Sequence, residues 1–232
     1  MEIHVIEKAE KISNYDLQGS QLVAIDVLRA TSTMVTAFKN GALKIIPVMK
    51  TQQAFNIKKS NSQVILGGER GGVKISGFHL GNSPAEYTPE NVYGKTIVMT
   101  TTNGTRLIQN SLAAESIYIG CLLNAKAVAE KLNKTRVFLA CAGTRGYFSP
   151  EDFMAAGAIA WHLTQSKNVA LNEKAKRAVE FFKAVKNRAE FLKLFPHGNL
   201  LIQRGFEKDI SYCCQLDTIP VVPRYYCGSL YV

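Results

Sequence analysis

The sequence predicts an α/β protein in which a largely parallel, mixed sheet lies between two layers of helices. Apolar, β-branched runs alternate with helix-length segments from the first residue to about residue 165, which is typical of parallel strands joined by crossover helices. The chain has 232 residues, of which 47% are hydrophobic and 20% are charged. This composition is that of a globular protein with one sizeable core, so we expect a single domain over residues 1–232.

Seven runs have the length and the β-branched content of strands. In chain order they are Glu2 to Ile6, Leu22 to Leu28, Leu43 to Val48, Gln63 to Leu66, Lys95 to Thr101, Ser116 to Gly120 and Arg136 to Cys141. The tail contains one more candidate strand, Thr218 to Val222. Pro220 and Pro223 would keep that strand short or at an edge, because proline cannot donate a backbone hydrogen bond.

Capping residues and apolar spacing predict helices in most of the gaps. The predicted helices begin at Thr31 to Thr33 and end near Gly41, run from Asn124 to Asn133, begin at Ser149 to Asp152, run from Asn172 to Leu194, and resume briefly after Gly198. Pro150 suits the first helical position, and the two carboxylates that follow it suit the first turn. We interpret the Lys-rich charges after residue 172 as the solvated face of an amphipathic helix.

Charge and cysteine content narrow the classes of function. The net charge of +10 allows nucleic-acid binding, but basic and acidic residues are interleaved and no aromatic-rich binding motif accompanies them. A small anionic substrate explains the surplus equally well. The five cysteines lack disulfide or zinc-ligand spacing, and no signal peptide or apolar run of about 18 residues is present. We therefore expect reduced thiols, a cytoplasmic location and no membrane contact.

Four predicted strands end in loops that carry charged residues or glycines. In open α/β sheets, ligands bind outside the carboxyl ends of strands, where loops and helix N-termini meet. The candidates that these loops contribute are the carboxylates Asp26, Glu69, Glu151 and Asp152 and the arginines Arg29, Arg70, Arg106 and Arg145. Carboxylates favour a hydrated Mg²⁺, and arginine forks match phosphate or sulfonate oxygens. The residues therefore predict an anion-binding, metal-dependent site.

Simpler interpretations stay open for these candidates. Asp26 would serve structure alone if it only hydrogen-bonded the nearby main chain. Glu69 and Arg70 would do so if they formed a surface ion pair, which is worth little free energy. Glu151 and Asp152 would do so if they only complemented a helix dipole. The joint placement of these residues at strand ends is what favours a functional site.

The sequence lacks the usual motifs of phosphatases that form a covalent intermediate and of nucleotide-binding proteins. Cys141 has Tyr147 at the position where a cysteine phosphatase carries arginine, and Asp26 has Leu28 where a haloacid-dehalogenase phosphatase carries its second aspartate. No phosphate-binding loop of the nucleotide-triphosphate type and no dinucleotide fingerprint occurs. His79 is either a hydrogen-bonding loop residue or a group that moves protons near neutral pH.

Longer motifs follow one another along most of the chain. They are Asp26-Val-Leu-Arg-Ala-Thr-Ser-Thr, Leu66-Gly-Gly-Glu-Arg-Gly-Gly, Gly77-Phe-His-Leu-Gly-Asn-Ser-Pro-Ala-Glu-Tyr-Thr, Thr100-Thr-Thr-Asn-Gly-Thr-Arg, Ala142-Gly-Thr-Arg-Gly with Pro150-Glu-Asp, and Gly205-Phe-Glu-Lys-Asp with Gln215-Leu-Asp and Val222-Pro. Together these motifs resemble the 2-phosphosulfolactate phosphatase family. The resemblance implies a three-layer α/β/α hydrolase that uses Mg²⁺ to convert 2-phosphosulfolactate to sulfolactate and phosphate, a step in coenzyme M biosynthesis.

The resemblance, combined with the strand-end residues, gives each candidate an expected role. A metal-activated water attacks the phosphoryl group, while arginines and glycine-loop amides stabilise the anionic groups. The residues expected to be catalytic are Asp26, Arg29, Glu69 and Glu151, and the expected metal ligands are Asp26, Glu69 and Asp152. The expected substrate-binding residues are Arg70, His79, Thr102, Asn103, Gly104, Thr105, Arg106 and Arg145. Whether Asp26 or Glu151 is the base that orients the water stays open.

Two alternative functions stay open as well. A phosphatase of the same family would act on another small phosphorylated acid if the host has no use for sulfolactate. A basic protein of this charge would bind nucleic acid without catalysis, although that function leaves the carboxylates without a role. The apolar residues Tyr225, Tyr226 and Leu230 suggest a homodimer interface in addition.

Overall fold

A computed structural model describes all 232 residues and contains one sheet of eleven strands flanked by helices, which confirms the predicted α/β class. The strands are β1 (Glu2–Ile6), β2 (Gln21–Ile25), β3 (Lys44–Pro47), β4 (Ile65–Arg70), β5 (Val73–Lys74), β6 (Thr96–Thr100), β7 (Ser116–Gly120), β8 (Arg136–Cys141), β9 (Ala170–Leu171), β10 (Arg224–Tyr226) and β11 (Ser229–Tyr231). The α-helices are α1 (Ala30–Lys39), α2 (Thr51–Ser60), α3 (Pro89–Val92), α4 (Gly104–Asn110), α5 (Ala125–Lys131), α6 (Pro150–Ser166), α7 (Glu173–Ala184), α8 (Arg188–Lys193), α9 (Pro196–Gln203) and α10 (Glu207–Cys213). None of them is both long enough and apolar enough to cross a membrane.

The sheet consists of two parallel blocks joined by an antiparallel hairpin, with the short edge strand β5 antiparallel to β4. The strand order is β5-β4-β6-β3-β11-β10-β7-β2-β8-β1-β9, with hairpin β10–β11 between β3 and β7. The three antiparallel pairings across this hairpin make the two blocks run in opposite senses. Loops that follow β2 and β8 in one block and β4 and β6 in the other nevertheless line a common cleft.

Strand β2 is the most deeply buried part of the sheet. All five of its residues are buried, and it pairs in parallel with β7 on one side and β8 on the other. A strand covered on both faces is expected to read as a continuous apolar run, as Leu22 to Ile25 does. The residues that follow Ile25 are therefore attached to a rigid support.

The seven strands predicted before residue 142 are confirmed as β1 to β4 and β6 to β8, with ends that differ by a few residues. The single long helix predicted from Asn172 to Leu194 is wrong, because the segment forms α7 and α8 with a break between them. Asn187 causes the second start, since its side chain accepts a hydrogen bond from the Glu190 N–H at the beginning of α8. Ser149 caps α6 as predicted, whereas the Asn124 side chain accepts from the Cys121 N–H instead of capping α5.

The C-terminal tail also differs from the prediction. No strand forms over Thr218 to Val222, and the two following segments form hairpin β10–β11 in the middle of the sheet. Pro220 and Pro223 have no N–H group to donate, so the segment from Thr218 to Val222 cannot form the backbone hydrogen bonds of a strand. Leu230 is fully buried in the sheet, so it is not part of an exposed apolar surface. The homodimer stays a prediction that has lost one of its supporting residues.

Candidate functional site

A polar cleft lies where the loops after β2, β4, β6 and β8 meet helix α9. Six of the residues expected at the site line it, namely Asp26, Arg29, Glu69, Thr102, Asn103 and Arg145. The loops also contribute Leu28, Gly71, Gly72, Asn82 and Thr144, and the α9 segment contributes His197, Leu200, Leu201 and Arg204. Mostly polar residues from both parallel blocks of the sheet therefore surround one opening.

Asp26 stands at the end of the buried strand β2. The Thr31 hydroxyl accepts a hydrogen bond from the Asp26 N–H and donates one to the Asp26 carbonyl, which fixes the backbone there. Burial raises the pKa of Asp26 to about 7, and the carboxylates of Glu69 and Glu151 add to the rise, while His197 opposes it. A carboxyl group with this pKa can exchange a proton near neutral pH.

Glu69 joins the loop after β4 to the loop after β6. Its Oε1 accepts the Thr102 N–H at 2.7 Å, and its Oε2 accepts the Gly72 N–H at 2.5 Å. Gly72 has a φ of +84°, a conformation that favours glycine, so the tight turn beneath the carboxylate depends on this residue type. Glu69 therefore orders one wall of the cleft with the same carboxylate that faces the opening.

Arg29 is held by a buried ion pair. Its Nη1 lies 2.5 Å from Asp209 Oδ2, its Nη2 donates to the Gly72 carbonyl at 3.3 Å, and its guanidinium lies over the Phe206 ring. The Ser83 hydroxyl donates to the other oxygen of Asp209 at 2.7 Å. The Arg29 charge is thus compensated inside the protein, so this residue positions the wall of the cleft and adds little free positive charge.

Glu151 and Asp152, at the start of α6, lie behind the cleft. Asp152 accepts the Val27 N–H at 2.8 Å and the Gly143 N–H at 3.1 Å, one on each oxygen, and therefore joins the ends of β2 and β8. Burial raises the pKa of Asp152 well above its usual value, and the neighbouring Asp26 and Glu151 carboxylates raise it further.

Glu151 contacts the cleft through a histidine. Its Oε1 lies 2.8 Å from Nδ1 of His197, whose Nε2 has no hydrogen-bond partner in the protein. Burial lowers the pKa of His197, but the hydrogen bond and the charge of Glu151 outweigh that effect and raise it. Glu151 therefore favours the protonated form of the imidazole that lines the cleft.

Three residues expected to bind substrate have other partners. Arg70 donates to the carbonyls of Glu69 and Met49 and to the Thr100 hydroxyl, so it forms no ion pair with the Glu69 carboxylate. Arg106 forms an ion pair with Glu10 at 2.5 Å. Nδ1 of His79 accepts the Leu66 N–H at 3.0 Å. None of the three lines the cleft.

The last two expected residues support the cleft from behind. Gly104 packs so tightly that a Cβ at this position would lie 2.6 Å from the Ala30 Cβ and 2.9 Å from Asp26 Oδ2. Thr105 is buried, and its hydroxyl donates to the Thr101 carbonyl at 2.9 Å. Both therefore contribute to the position of Asp26 and of the loop after β6.

Five polar residues of this region are not predicted from the sequence: Asn82, Thr144, His197, Arg204 and Asp209. Asn82 is 5% exposed, lines the cleft, and its Oδ1 has no hydrogen-bond partner. His197 lies in α9 and Arg204 directly follows this helix, but no sequence motif marks either residue. Asp209 belongs to the Gly205 to Asp209 motif, which carried the family resemblance without an assigned role.

The carboxylates of the cleft determine which metal ion it could hold. No group of three or more acidic, histidine or cysteine side chains is arranged to hold one. Asp26 and Glu69 both line the cleft, whereas Asp152 lies behind it and does not. Because Mg²⁺ needs only one or two carboxylates together with waters and substrate oxygens, the residues fit this ion with Asp26 and Glu69 as protein ligands.

The fold and the cleft define an α/β protein with a site for a small anionic ligand. The family model of 2-phosphosulpholactate phosphatase matches residues 6–227. Proteins named probable 2-phosphosulfolactate phosphatase are similar over almost the full length. The one from Clostridium tetani is 40% identical over 233 residues, covering 99% of this chain and 100% of the relative. The relative from Carboxydothermus hydrogenoformans is 42% identical over 226 residues, covering 97% and 93%.

The chain belongs to the 2-phosphosulpholactate phosphatase family, because the family model and these relatives cover nearly all of it. A further relative of the same name, from Symbiobacterium thermophilum, is 42% identical over 221 residues, which are 93% of this chain and 95% of that protein. The family resemblance noted in the sequence is thereby confirmed. The chain is accordingly an enzyme of the phosphoric monoester hydrolase class.

Proposed function

We propose that this chain hydrolyses 2-phosphosulfolactate to sulfolactate and phosphate. The observation that carries the proposal is the cleft itself, whose lining combines the Asp26 and Glu69 carboxylates with Arg145, Arg204 and the His197 imidazole. A substrate with phosphate, carboxylate and sulfonate groups requires several cationic and N–H donors around one small volume. The names of the relatives support the same substrate.

Asp26 and Glu69 would hold Mg²⁺ in this cleft. The ion would supply positive charge to the phosphoryl oxygens during the reaction. Asp152 stays outside the ligand set and acts by fixing the loops after β2 and β8, which keeps Asp26 in place. The raised pKa of Asp26 supports a cation at this position, because a nearby positive charge would relieve the repulsion from Glu69 and Glu151.

Two residues of the chain would move protons. The oxygen of the attacking water forms the new bond to phosphorus, and Asp26 accepts one proton of that water. The bond between phosphorus and the ester oxygen breaks, and Nε2 of His197 donates a proton to that oxygen, which becomes the hydroxyl of sulfolactate. Glu151 holds the imidazole through Nδ1 and keeps it charged, so it is not the base.

Phosphate release by purified variants tests this function. Asp26→Asn and Glu69→Gln should each lower kcat on 2-phosphosulfolactate with Mg²⁺ by about 100-fold or more, because each removes a charge at the reacting group. Asp16→Asn is the matched control, since this aspartate is exposed, pairs with Arg136, accepts the Gln18 N–H and does not line the cleft. Circular dichroism of each variant checks that the fold is kept. Near-normal turnover of both cleft variants would reject the assignment.

The metal and the substrate are tested in the same assay. Removal of Mg²⁺ with EDTA should abolish phosphate release, and added Mg²⁺ should restore it. A panel of other small phosphorylated acids separates the proposed substrate from the alternative, which is a family member with a different phosphomonoester. Faster turnover of another ester would establish the alternative, and no release from any ester would reject both.

A cytoplasmic location and a place in coenzyme M biosynthesis complete the proposal. The five cysteines are all free and four of them are buried, which suits a reducing compartment. Deletion of the gene should lower the cellular content of coenzyme M and raise that of the phosphorylated precursor. Unchanged levels of both compounds would contradict the metabolic role without affecting the chemical one.

A further inference from the structure

Helix α9 forms one wall of the cleft and ends in an arginine that lacks a partner. His197, Leu200, Leu201 and Arg204 line the opening from this helix and from the residue that follows it. Nη1 of Arg204 is inaccessible to solvent and has no hydrogen-bond partner in the protein. The other guanidinium nitrogens of Arg204 have no acceptor in the protein either, and the side chain lines the cleft, so the whole group points to an acceptor supplied by a ligand.

Most other arginines near the site are already paired. Arg29 binds Asp209, Arg106 binds Glu10, and Arg70 donates to two carbonyls and a hydroxyl outside the cleft. Arg145 and Arg204 are the two cleft arginines without a carboxylate partner. These two residues therefore carry the uncompensated arginine charge that an anionic substrate would meet.

Arg204 is held against the turn that contains Glu69. A Cβ at Gly72 would lie 2.4 Å from Nη1 of Arg204, so the guanidinium packs directly on the backbone of that glycine. The Gly72 N–H in turn binds the Glu69 carboxylate at 2.5 Å. The guanidinium is thus placed against the turn that holds the Glu69 carboxylate.

We propose that Arg204 binds an acid group of the substrate that does not react, either the sulfonate or the carboxylate, and so determines which phosphate esters are accepted. This inference rests on the proposed function, because it assigns a second anionic group to the ligand of the same cleft. A planar guanidinium forms paired hydrogen bonds to either group, so both share the recognising chemistry. Arg204 is a specificity residue and transfers no proton.

The test compares Arg204→Gln and Arg204→Lys with wild type on three esters. These are 2-phosphosulfolactate, 2-phospholactate, which lacks the sulfonate, and the phosphate ester of 2-hydroxyethanesulfonate, which lacks the carboxylate. Arg204→Gln should raise KM for 2-phosphosulfolactate by about tenfold or more and change kcat by less than about threefold. Arg204→Lys should recover part of the loss. Arg188→Gln is the control, because its guanidinium lies over Phe182, away from the cleft.

The ester on which the substitution has least effect identifies the bound group. A small effect on 2-phospholactate assigns Arg204 to the sulfonate, and a small effect on the ester without carboxylate assigns it to the carboxylate. An equal rise in KM on all three esters, or no rise on any, would overturn the inference while leaving the proposed function standing.

A binding measurement keeps the inference testable if wild type hydrolyses none of the esters. In that case the proposed function fails, and calorimetric titration with sulfolactate is made on wild type and on Arg204→Gln. Binding to wild type that weakens about tenfold or more in the variant supports an anion site at Arg204. Equal binding to both proteins, or binding to neither, rejects it.

Discussion

The tripeptide Gly-Thr-Arg occurs after two strands of the same sheet, and the two copies fold differently. The first copy, Gly104-Thr105-Arg106, follows β6 and begins helix α4. The second copy, Gly143-Thr144-Arg145, follows β8 and enters a tight hairpin in which Thr144 and Tyr147 exchange backbone hydrogen bonds. The same tripeptide after a strand therefore supports the cleft from behind in the first copy and lines the cleft in the second.

The first copy is turned into the protein. The Thr105 hydroxyl bonds the Thr101 backbone, and Gly104 lies against Asp26 and Ala30. Its arginine leaves the cleft and pairs with Glu10. The second copy is turned outwards, with Arg145 exposed on the cleft at a φ of +52°.

The residues that follow each copy account for the difference. Leu107 and Ile108 are fully buried and continue a helix from the first copy. Gly146, with a φ of +81°, follows the second copy and closes the hairpin before Ser149 starts α6. A short motif at a strand end thus marks a place where function is expected, but the next few residues decide which side chain faces the ligand.

The largest difference between the two copies is expected when alanine replaces the glycine of each, Gly104 or Gly143. Gly104→Ala forces a Cβ to within 2.6 Å of the Ala30 Cβ and 2.9 Å of Asp26 Oδ2. Displacing a reacting carboxylate by about 1 Å can cost 100-fold, so we expect kcat to fall by about that factor. Gly143→Ala meets the Tyr147 carbonyl at 2.7 Å and strains a φ of +70°, which should disturb the hairpin and raise KM instead.

Steady-state kinetics with 2-phosphosulfolactate distinguish the two glycine variants, and thermal unfolding reports any loss of stability. Overpacking typically costs about 1–3 kcal/mol, so both proteins should still fold. An equal fall in kcat for both would mean that the hairpin, too, positions the reacting group. The distinction between a supporting copy and a lining copy would then be lost.

A smaller effect is expected from the two arginines. Arg145→Gln should raise KM by about tenfold, because it removes an unpaired charge from the cleft wall. Arg106→Gln should change KM by less than about twofold, since it loses only a half-exposed ion pair with Glu10. A large rise in KM for the Arg106 variant would instead support the substrate-binding role that the sequence predicts.

Much of the fold follows from local sequence patterns. Buried runs such as Leu22 to Ile25 specify strands regardless of their neighbours, and Ser149 with Pro150 specifies the start of α6. The place of hairpin β10–β11 could not be predicted in this way, because insertion between two parallel blocks depends on strands more than 100 residues away in sequence, such as β3. The helical spacing of apolar residues continues through Val185 to Asn187. It therefore hides the end of α7 and the start of α8, which the Asn187 side chain caps.

The site is predictable where chemistry lies at the end of a strand. Asp26 and Glu69 are predicted from the sequence because they stand at the ends of apolar runs, and the structure places both in the cleft lining. His197 and Arg204 were missed because they lie on a helix whose position is set by tertiary packing. The side-chain direction of Arg70 could not be predicted from the sequence either, because its acceptors at Met49 and Thr100 belong to other segments of the chain.

The smallest expected effect is a pH dependence of stability. It concerns His197, which lies close to the threonine of the second copy but not to that of the first. The Thr144 hydroxyl lies 3.5 Å from Nδ1 of His197, whereas Thr105 contacts the Thr101 backbone. The raised pKa of His197 means that its ion pair with Glu151 stabilises the fold fully below the unfolded pKa, about 6.5, and that this stabilisation is lost as pH rises through the folded pKa. His197→Gln should therefore lower the free energy of unfolding more at pH 5.5 than at pH 9.

Urea unfolding in EDTA measures this difference at both pH values without a metal ion. Thr105→Val is the control, because its lost hydrogen bond to the Thr101 carbonyl involves no titrating group and should cost the same free energy at either pH. A loss for His197→Gln that is equal at both pH values, or larger at pH 9, would mean that Glu151 does not hold a charged imidazole. The lining copy would then face a neutral histidine, and the proton for the leaving oxygen would have to come from another group.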